Sequence, residues 1–482
     1  MKLGVLLKNI AHEVLRDCAD EISSVVHDTR KMVQGALFIC LRGLTVDGHD
    51  FIDAAVEKGA AAVLVDAKFP HEKIPPHVGV VRVENTRSAM AFISANFYGN
   101  PAEKLRLIGI TGTNGKTTTT YFIEEILRNC GRRTGIIGTV GIRADDRPLD
   151  VSFATDTTPD PTELHLIFAK MLSLGVQDVV MEVSSHSLAL HKMEGLTFDV
   201  GVFTNLTQDH LDFHGTMENY ALAKAQLFSQ SRFAVVNADD EYTPIMLKSS
   251  GDNPFSTYGI KNAANFRAEH VNCTPHGSAF SIDGRAFEIP VSGKFNVYNV
   301  LAAIGTAHAL GAEMPGICAA TARLSGVPGR IQSVPNARGL SVFIDYAHTP
   351  DGLENIITAV RGATRGRVIT LFGCGGDRDR EKRPLMGKIA AKLSDEIFLT
   401  SDNPRTENPA EILAQTEAGV TQTATTYRLI ENRRDAIFAA IKSLQPDDAL
   451  IIAGKGHENY QIIGTTKHHF DDYEVATEAM KG

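Results

Sequence analysis

Hydrophobic and polar positions fall into repeating blocks along the chain. Short, continuous apolar runs end in polar or glycine-rich loops, and segments with apolar residues at helical spacing follow them. Near the N-terminus the runs at residues 36–40, 61–65 and 78–83 alternate with helix-like stretches such as residues 51–58, which predicts a small α/β domain. Tyr98-Gly99-Asn100-Pro101 is a turn-rich break. A second series opens with a strand at 105–110, a glycine-rich loop and a helix at 116–128, followed by strands at 134–137, 176–183, 199–204 and 233–237. After Pro328-Gly329-Arg330 a third series begins, with strands at 341–344, 367–372, 396–400 and 449–453. Apolar strands alternating with helices imply parallel sheets covered on both faces, with ligands collecting where the strands end. The fold class is therefore α/β in three domains: a small α/β N-terminal domain at 1–101, a central P-loop-type, mainly parallel sheet at 102–332, and a Rossmann-like doubly wound domain at 333–482.

Composition narrows the partners. The 482 residues match about three domains of ordinary size. A net charge of -9 excludes the broad basic field that a nucleic acid or an anionic membrane requires, so any phosphate must be met by a few placed groups. No apolar stretch approaches the roughly 20 residues that span a bilayer, and the apolar run at the N-terminus is cut by Lys8 and Asn9. The six cysteines form no Cys-x-x-Cys pair, so neither a disulfide framework nor a zinc site is indicated, and a reducing cytoplasmic location is expected.

The chemistry concentrates in the loops. Thr111-Gly112-Thr113-Asn114-Gly115-Lys116-Thr117-Thr118 lies between a strand and a helix, where backbone N–H groups and the helix dipole can cradle phosphates. Lys116 would reach the outer phosphates and the Thr117 hydroxyl a Mg2+ ion. The strict Walker pattern wants glycine where this chain has Ile110, so the loop is a variant, and the bland alternative is a turn that binds nothing. Glu182 closes a strand, where a carboxylate can meet a metal or simply stay solvated. On residue type alone, His210 reads as a loop histidine and Lys224 as a solvated position on an apolar-patterned helix.

Together these residues resemble the Mur ligase family, ATP-dependent amide ligases of peptidoglycan precursor synthesis. The blocks are 111–117, Glu182-Val183-Ser184-Ser185-His186, Asn205-Leu206-Thr207-Gln208-Asp209-His210-Leu211-Asp212, Phe295-Asn296-Val297-Tyr298-Asn299 and Asp345-Tyr346-Ala347-His348-Thr349-Pro350, in the family order over essentially the whole chain. The resemblance implies that Lys224 is carbamoylated and joins Thr117, Glu182 and His210 around Mg2+, with Lys116, His210 and Lys224 as the catalytic group. It implies ATP contacts at Gly112, Thr113, Asn114, Gly115, Lys116, Thr117, Thr118, Asn299, Arg330, Asp345 and His348. Within the family, Asp402-Asn403-Pro404-Arg405 resembles the mark of the enzymes that add meso-diaminopimelate to UDP-MurNAc-L-Ala-D-Glu. The Arg405 guanidinium can grip the carboxylate that lysine lacks, with Arg383, Gly454 and Glu458 as further contacts. Thr29, Thr157, Thr158, Ser184 and Lys192 match contacts to the UDP-sugar peptide. The chain departs from the pattern at Leu190, which cannot hydrogen-bond, and at Lys192, which carries a charge without arginine's fork.

The implied partners are the two small-molecule substrates alone, with no nucleic acid or membrane, and the chain is expected to be a monomer. Three alternatives stay open: a lysine-adding or folylpolyglutamate-synthase-like ligase of the same fold, a P-loop switch or motor ATPase, and a nucleotide-binding pseudoenzyme supported only by Leu190. Against the ATPase stand the loops at 402–405 and 454–458 and the absence of an Asn-Lys-x-Asp string.

Overall fold

Every predicted strand forms, within two residues of the expected bounds, in a computed structural model that describes residues 1–18, 21–43, 46–145, 147–151, 157–274 and 277–481. Side chains of Lys73 and Asp212 are outside this description. The chain divides into two compact units, residues 1–266 with 302–317 and residues 267–301 with 318–482.

The first unit contains two sheets. One has the order Glu13–Arg16, Gly79–Val83, Ala62–Asp66, Ala36–Ile39, Ser24–Val26, parallel except for its first strand. Its inner strands are continuously apolar because both faces are covered: Leu37, Ile39, Leu64 and Val81 enter one core, and Phe38, Val63, Val65 and Val80 the other. In the nine-stranded sheet, Arg106–Thr111 lies between Val200–Phe203 and Asp178–Glu182, parallel to both, with a short antiparallel edge at Gly141–Ala144 and Arg147–Pro148. That order sets the glycine-rich loop at 111–118 between the end of the Glu182 strand and the loop leading to His210.

The second unit holds a six-stranded sheet, a three-stranded antiparallel meander at Glu269–Thr274, Gly277–Ile282 and Arg285–Ile289, and a hairpin of Tyr460–Ile463 and Thr466–His469. Meander and hairpin both lie outside the sequence expectation. The meander's signal is period two, since Ser278, Phe280 and Ile282 are buried while Gly277, Ala279 and Ser281 are half-buried, and Phe280 stacks on Phe287 at 5.3 Å.

In the six-stranded sheet the order is Gln332–Ser333, Ser341–Asp345, Ala449–Ala453, Val368–Phe372, Glu396–Leu399, Thr426–Leu429, parallel after the first strand. The last long strand in sequence is thus inserted between the second and third, and the loops after residues 345, 372, 399 and 453 share one edge. Among the described residues no helix is long and apolar enough to cross a membrane.

A buried ion pair anchors that edge. Arg433 donates through Nε and Nη2 to the two Asp472 oxygens, each at 2.7 Å, and through Nη2 to the Ala453 carbonyl at 3.0 Å, with both side chains fully buried. Removing one partner strands a charge in the core, so Asp472→Ala should cost about 3–5 kcal/mol in equilibrium urea unfolding of the second unit. An unchanged midpoint would mean that the pair does not support the strand.

Candidate functional site

The loop after Arg106–Thr111 is built by close approach. Gly112 has φ 151°, and a Cβ there would overlap the Thr204 hydroxyl. Gly115 takes a left-handed turn at φ 83° and starts the helix Lys116–Asn129. The neighbouring strand's loop clamps this turn. Asn205 O accepts from Thr113 N at 2.8 Å, Asn205 Oδ1 accepts from Asn114 N at 2.9 Å, and the Thr204 hydroxyl donates to Asn114 O at 2.7 Å. Thr113 Oγ1 accepts from Thr207 N at 3.0 Å. Thr117 and Thr118 are buried in the first helical turn.

Two lysines converge on this loop. Lys116 Nζ donates to the carbonyls of Gly112 and Thr113, both at 2.9 Å, and Lys224 Nζ donates to Gly112 O at 2.9 Å. Lys224 is 1% exposed and lies 4.5 Å from the centre of the Tyr220 ring. Burial, reinforced by the Lys116 charge and only opposed by Asp209, drives its amine well below the ordinary lysine range. Residue type alone suggests a solvated position for Lys224. The structure overturns this because Met217–Ser229 is apolar around most of its circumference and buries Tyr220, Ala221, Ala223, Ala225 and Leu227 with it.

Glu182, on the adjacent strand, is buried and accepts from Thr139 N at 2.9 Å and Thr139 Oγ1 at 3.1 Å. His210 has φ 52°, and its ring meets His186 edge-on at 4.7 Å and lies 6.1 Å from Tyr220. Among the described residues no cluster of three or more His, Cys, Asp or Glu could hold a metal. The oxygen donors of Thr117 and Glu182 suit a hard divalent cation, whereas an ammonium at Lys224 would repel one. The donor set therefore fits Mg2+ only with that nitrogen converted to an anionic oxygen donor.

Thr157, Thr158 and Ser184 gather around Glu182. Thr158 Oγ1 donates to Glu182 O at 3.0 Å and accepts from Ser184 N at 3.2 Å, and the Thr157 and Thr139 hydroxyls are 3.3 Å apart. Lys192 Nζ pairs with Asp160 at 2.7 Å, and His27 lies 3.6 Å from the other Asp160 oxygen. Although burial alone would raise the Asp160 carboxyl, His27 and Lys192 hold it far below the usual carboxylate range. Asp160 escaped the sequence reading because its partners come from residues 27 and 192. Leu190 ends a short helix, Ser185–Ala189, and Thr29 begins a 3-10 turn whose carbonyl accepts from Lys58 at 2.8 Å.

In the second unit Asp345 is buried, accepting from Ile331 N and Ala347 N, each at 2.8 Å. Burial pushes its carboxyl up against the pull of Arg330, whose guanidinium lies 5.0 Å from the Tyr346 ring centre. His348 Nδ1 stands 2.8 Å from Tyr346 O, and Asn299, on Lys294–Ala309, donates to Asn296 Oδ1 at 3.2 Å.

The loop at 402–405 is not the exposed turn that residue type alone allows. Asp402, Asn403 and Pro404 are buried, and Arg405, at φ 51°, donates to Gly376 O at 2.8 Å. Asn403 Nδ2 donates to Glu458 Oε2 at 2.8 Å, and Gly454 stands against Asp402, where a Cβ would approach Oδ2 to 2.7 Å. Arg383 lies beneath, fully buried. It donates to both Glu407 oxygens at 2.9 and 3.0 Å, to Gln415 at 2.7 Å and to Gly375 O at 3.1 Å. Lys455 is also fully buried, and nothing in the string Gly454-Lys455-Gly456-His457-Glu458 signals it.

Comparison with known proteins matches residues 21–98 to "Mur ligase family, catalytic domain", 110–307 to "Mur ligase middle domain" and 329–456 to "Mur ligase, glutamate ligase domain". The chain is 45% identical to UDP-N-acetylmuramoyl-L-alanyl-D-glutamate--2,6-diaminopimelate ligase 1 of Clostridium acetobutylicum, covering 100% of this chain and 99% of that one. It is also 45% identical to the corresponding ligase of Caldanaerobacter subterraneus subsp. tengcongensis, again over 100% and 99%. A solved structure of a UDP-N-acetylmuramoyl-L-alanyl-D-glutamate--2,6-diaminopimelate ligase superposes with a TM-score of 0.67 at 31% identity, covering 95% of each chain.

Because a Cβ at Gly112 would overlap the Thr204 hydroxyl, Gly112→Ala should weaken ATP binding about tenfold or more in titration calorimetry. Wild-type affinity in that variant would show that the loop can yield.

Proposed function

This chain belongs to the Mur ligase family, and on that premise we propose how its residues perform the reaction. It is an ATP-dependent amide ligase of peptidoglycan precursor synthesis that joins meso-2,6-diaminopimelate to the γ-carboxylate of D-glutamate in UDP-MurNAc-L-Ala-D-Glu. A carboxylate oxygen attacks the γ-phosphorus of ATP, the bond to the β-phosphate oxygen breaks, and ADP leaves an acyl phosphate. The diaminopimelate amine then adds to the acyl carbon, sheds a proton and expels phosphate.

Three segments divide the work: 1–101 takes the UDP end, 102–332 takes ATP, and 333–482 takes the incoming amino acid. Residues 111–118 cradle the phosphates, with the Lys116 ammonium moving from loop carbonyls to phosphate oxygens. Asn299, Arg330, Asp345 and His348 hold the rest of ATP. Thr29 contacts the nucleotide end of the sugar peptide, and Thr157, Thr158, Ser184 and Lys192 its sugar-peptide end. Mg2+, when bound, neutralises charge on the transferring phosphoryl group, and Thr117, Glu182, His210 and carbamoylated Lys224 would hold it.

The low proton affinity of Lys224 supports the carbamate. A neutral amine attacks carbon dioxide, forms the N–C bond, releases one proton and leaves an anion that Lys116 can balance. The action is assigned to a cytoplasmic monomer; the six free cysteines among the described residues suit a reducing compartment.

One observation carries the choice of amino acid: Asp402, Asn403, Pro404, Arg405, Gly454 and Glu458 meet as a single packed surface where the strands of the second unit end. There Arg405 can bind the distal carboxylate, Glu458 the distal ammonium, and Arg383 acts from beneath through Gly375 and Glu407. Incubation with ATP and UDP-MurNAc-dipeptide should give, by mass spectrometry, the tripeptide product with diaminopimelate and little with lysine. A lysine product of equal yield would move the chain to the lysine-adding class. Lys224→Ala should lose at least about a hundredfold in kcat, with partial recovery on adding short-chain carboxylic acids; unchanged turnover removes Lys224 from the site.

A further inference from the structure

Lys455 is a buried cation that the reaction as described does not use. Its ammonium donates to Asn403 Oδ1 at 3.0 Å and lies 3.3 Å from Glu458 Oε2 and 4.0 Å from Asp402 Oδ1, with no exposed side-chain surface. Taking an ammonium out of water is costly unless its neighbours repay it, so its place beneath this surface demands a reason. The backbone is bent to deliver it: Gly454 and Gly456 on either side have φ of 116° and 53°. A Cβ at Gly456 would meet Tyr346 and the Gly329 carbonyl, so the turn has no slack.

The hydrogen bonds form a closed circuit. Asn403 Oδ1 accepts from Lys455 and from Ile462 N at 2.9 Å, which fixes the amide's orientation and aims its Nδ2 at Glu458 Oε2. Asn403 N donates to Asp402 Oδ1 at 2.6 Å. Glu458 therefore receives two donors on one oxygen, and Asp402 keeps its other oxygen, Oδ2, buried with no hydrogen-bond partner. A buried carboxylate oxygen without a protein partner is expensive unless a donor reaches it, and a ligand ammonium is such a donor.

We propose that Lys455 is a positioning residue for the amino-acid subsite: it locks the Asn403–Glu458 pair and offsets one of two adjacent carboxylates, so that Glu458 and Asp402 Oδ2 are preset for the distal ammonium of the incoming diaminopimelate. The inference rests on the reading of residues 402–405 and 458 given above. Lys455 touches no reacting atom in this arrangement. Its loss is expected to act on the amino acid rather than on ATP, because phosphorylation precedes attack by that substrate's amine.

Steady-state kinetics of the full chain test it, with Lys455→Met, which keeps the stem and deletes the charge, beside Lys455→Arg. For Lys455→Met, KM for diaminopimelate should rise about tenfold or more, while KM for ATP and for UDP-MurNAc-dipeptide stays within about twofold and kcat within about threefold. Lys455→Arg, which keeps the charge, should recover part of that loss. Parallel rises in all three KM values, or an unchanged KM for diaminopimelate, overturn the proposal. So does the loss of folding in both variants by thermal melting, since a lysine needed only for the fold is not a positioning residue. Failure of the wild-type chain itself to use diaminopimelate refutes the amino-acid assignment instead, and the two failures are thereby distinguished.

Discussion

A parallel sheet buried on both faces leaves its strand ends as the place where polar groups can gather without entering the core. Both large sheets of this chain obey that constraint, and in each the strand order is crossed. Arg106–Thr111 sits between strands that follow it in sequence, and Ala449–Ala453 is inserted between strands that precede it. Crossing brings loops from distant parts of the sequence side by side. Without it, Gly112 would not reach Thr204, nor Lys455 reach Asn403.

The electrostatics follow from the same arrangement. A chain of net charge -9 that handles a nucleotide, a UDP-sugar peptide and an amino acid cannot rely on a diffuse basic surface. It concentrates cations instead. Lys116 and Lys224 share the Gly112 carbonyl, Lys192 is set on Asp160, and Lys455 stands between Asp402 and Glu458. In the low dielectric of a closed strand edge each charge counts for more than it would at the surface. Burial, reinforced by the Lys116 charge, holds the Lys224 amine well below the ordinary lysine range.

Strands and loops were legible because continuous apolar runs and glycine-rich turns are local signals. The meander at 269–289 carried a period-two pattern but not the strand–helix alternation that marked the rest, and so stayed outside the reading. The candidate residues differ in how they could be seen. The loop at 111–118 declares its chemistry by composition, and Asp402-Asn403-Pro404-Arg405 by resemblance. Asp160 and Lys455 declared nothing, since a carboxylate at a helix start and a lysine between two glycines are commonplace until their partners are known. Arg383 could be named as a contact, yet that its two Nη groups are taken up by Glu407, Gln415 and Gly375 is a fact of packing.

Local pattern along the chain set the α/β class, the inner strands of the three main sheets, the glycine-rich loop at 111–118, the family and, through that family, the reaction. These depend on local pattern and on motif order, which survive without coordinates. The tertiary structure alone decided which side chains are buried, which charges are paired and which polar atoms are left waiting. Lys224 changed from a solvated helix position to a buried amine, and Lys455 from a loop residue to the centre of a hydrogen-bonded circuit. Burial and pairing are set by neighbours more than a hundred residues away at Lys224 and about fifty away at Lys455, and a linear pattern carries no record of those distances.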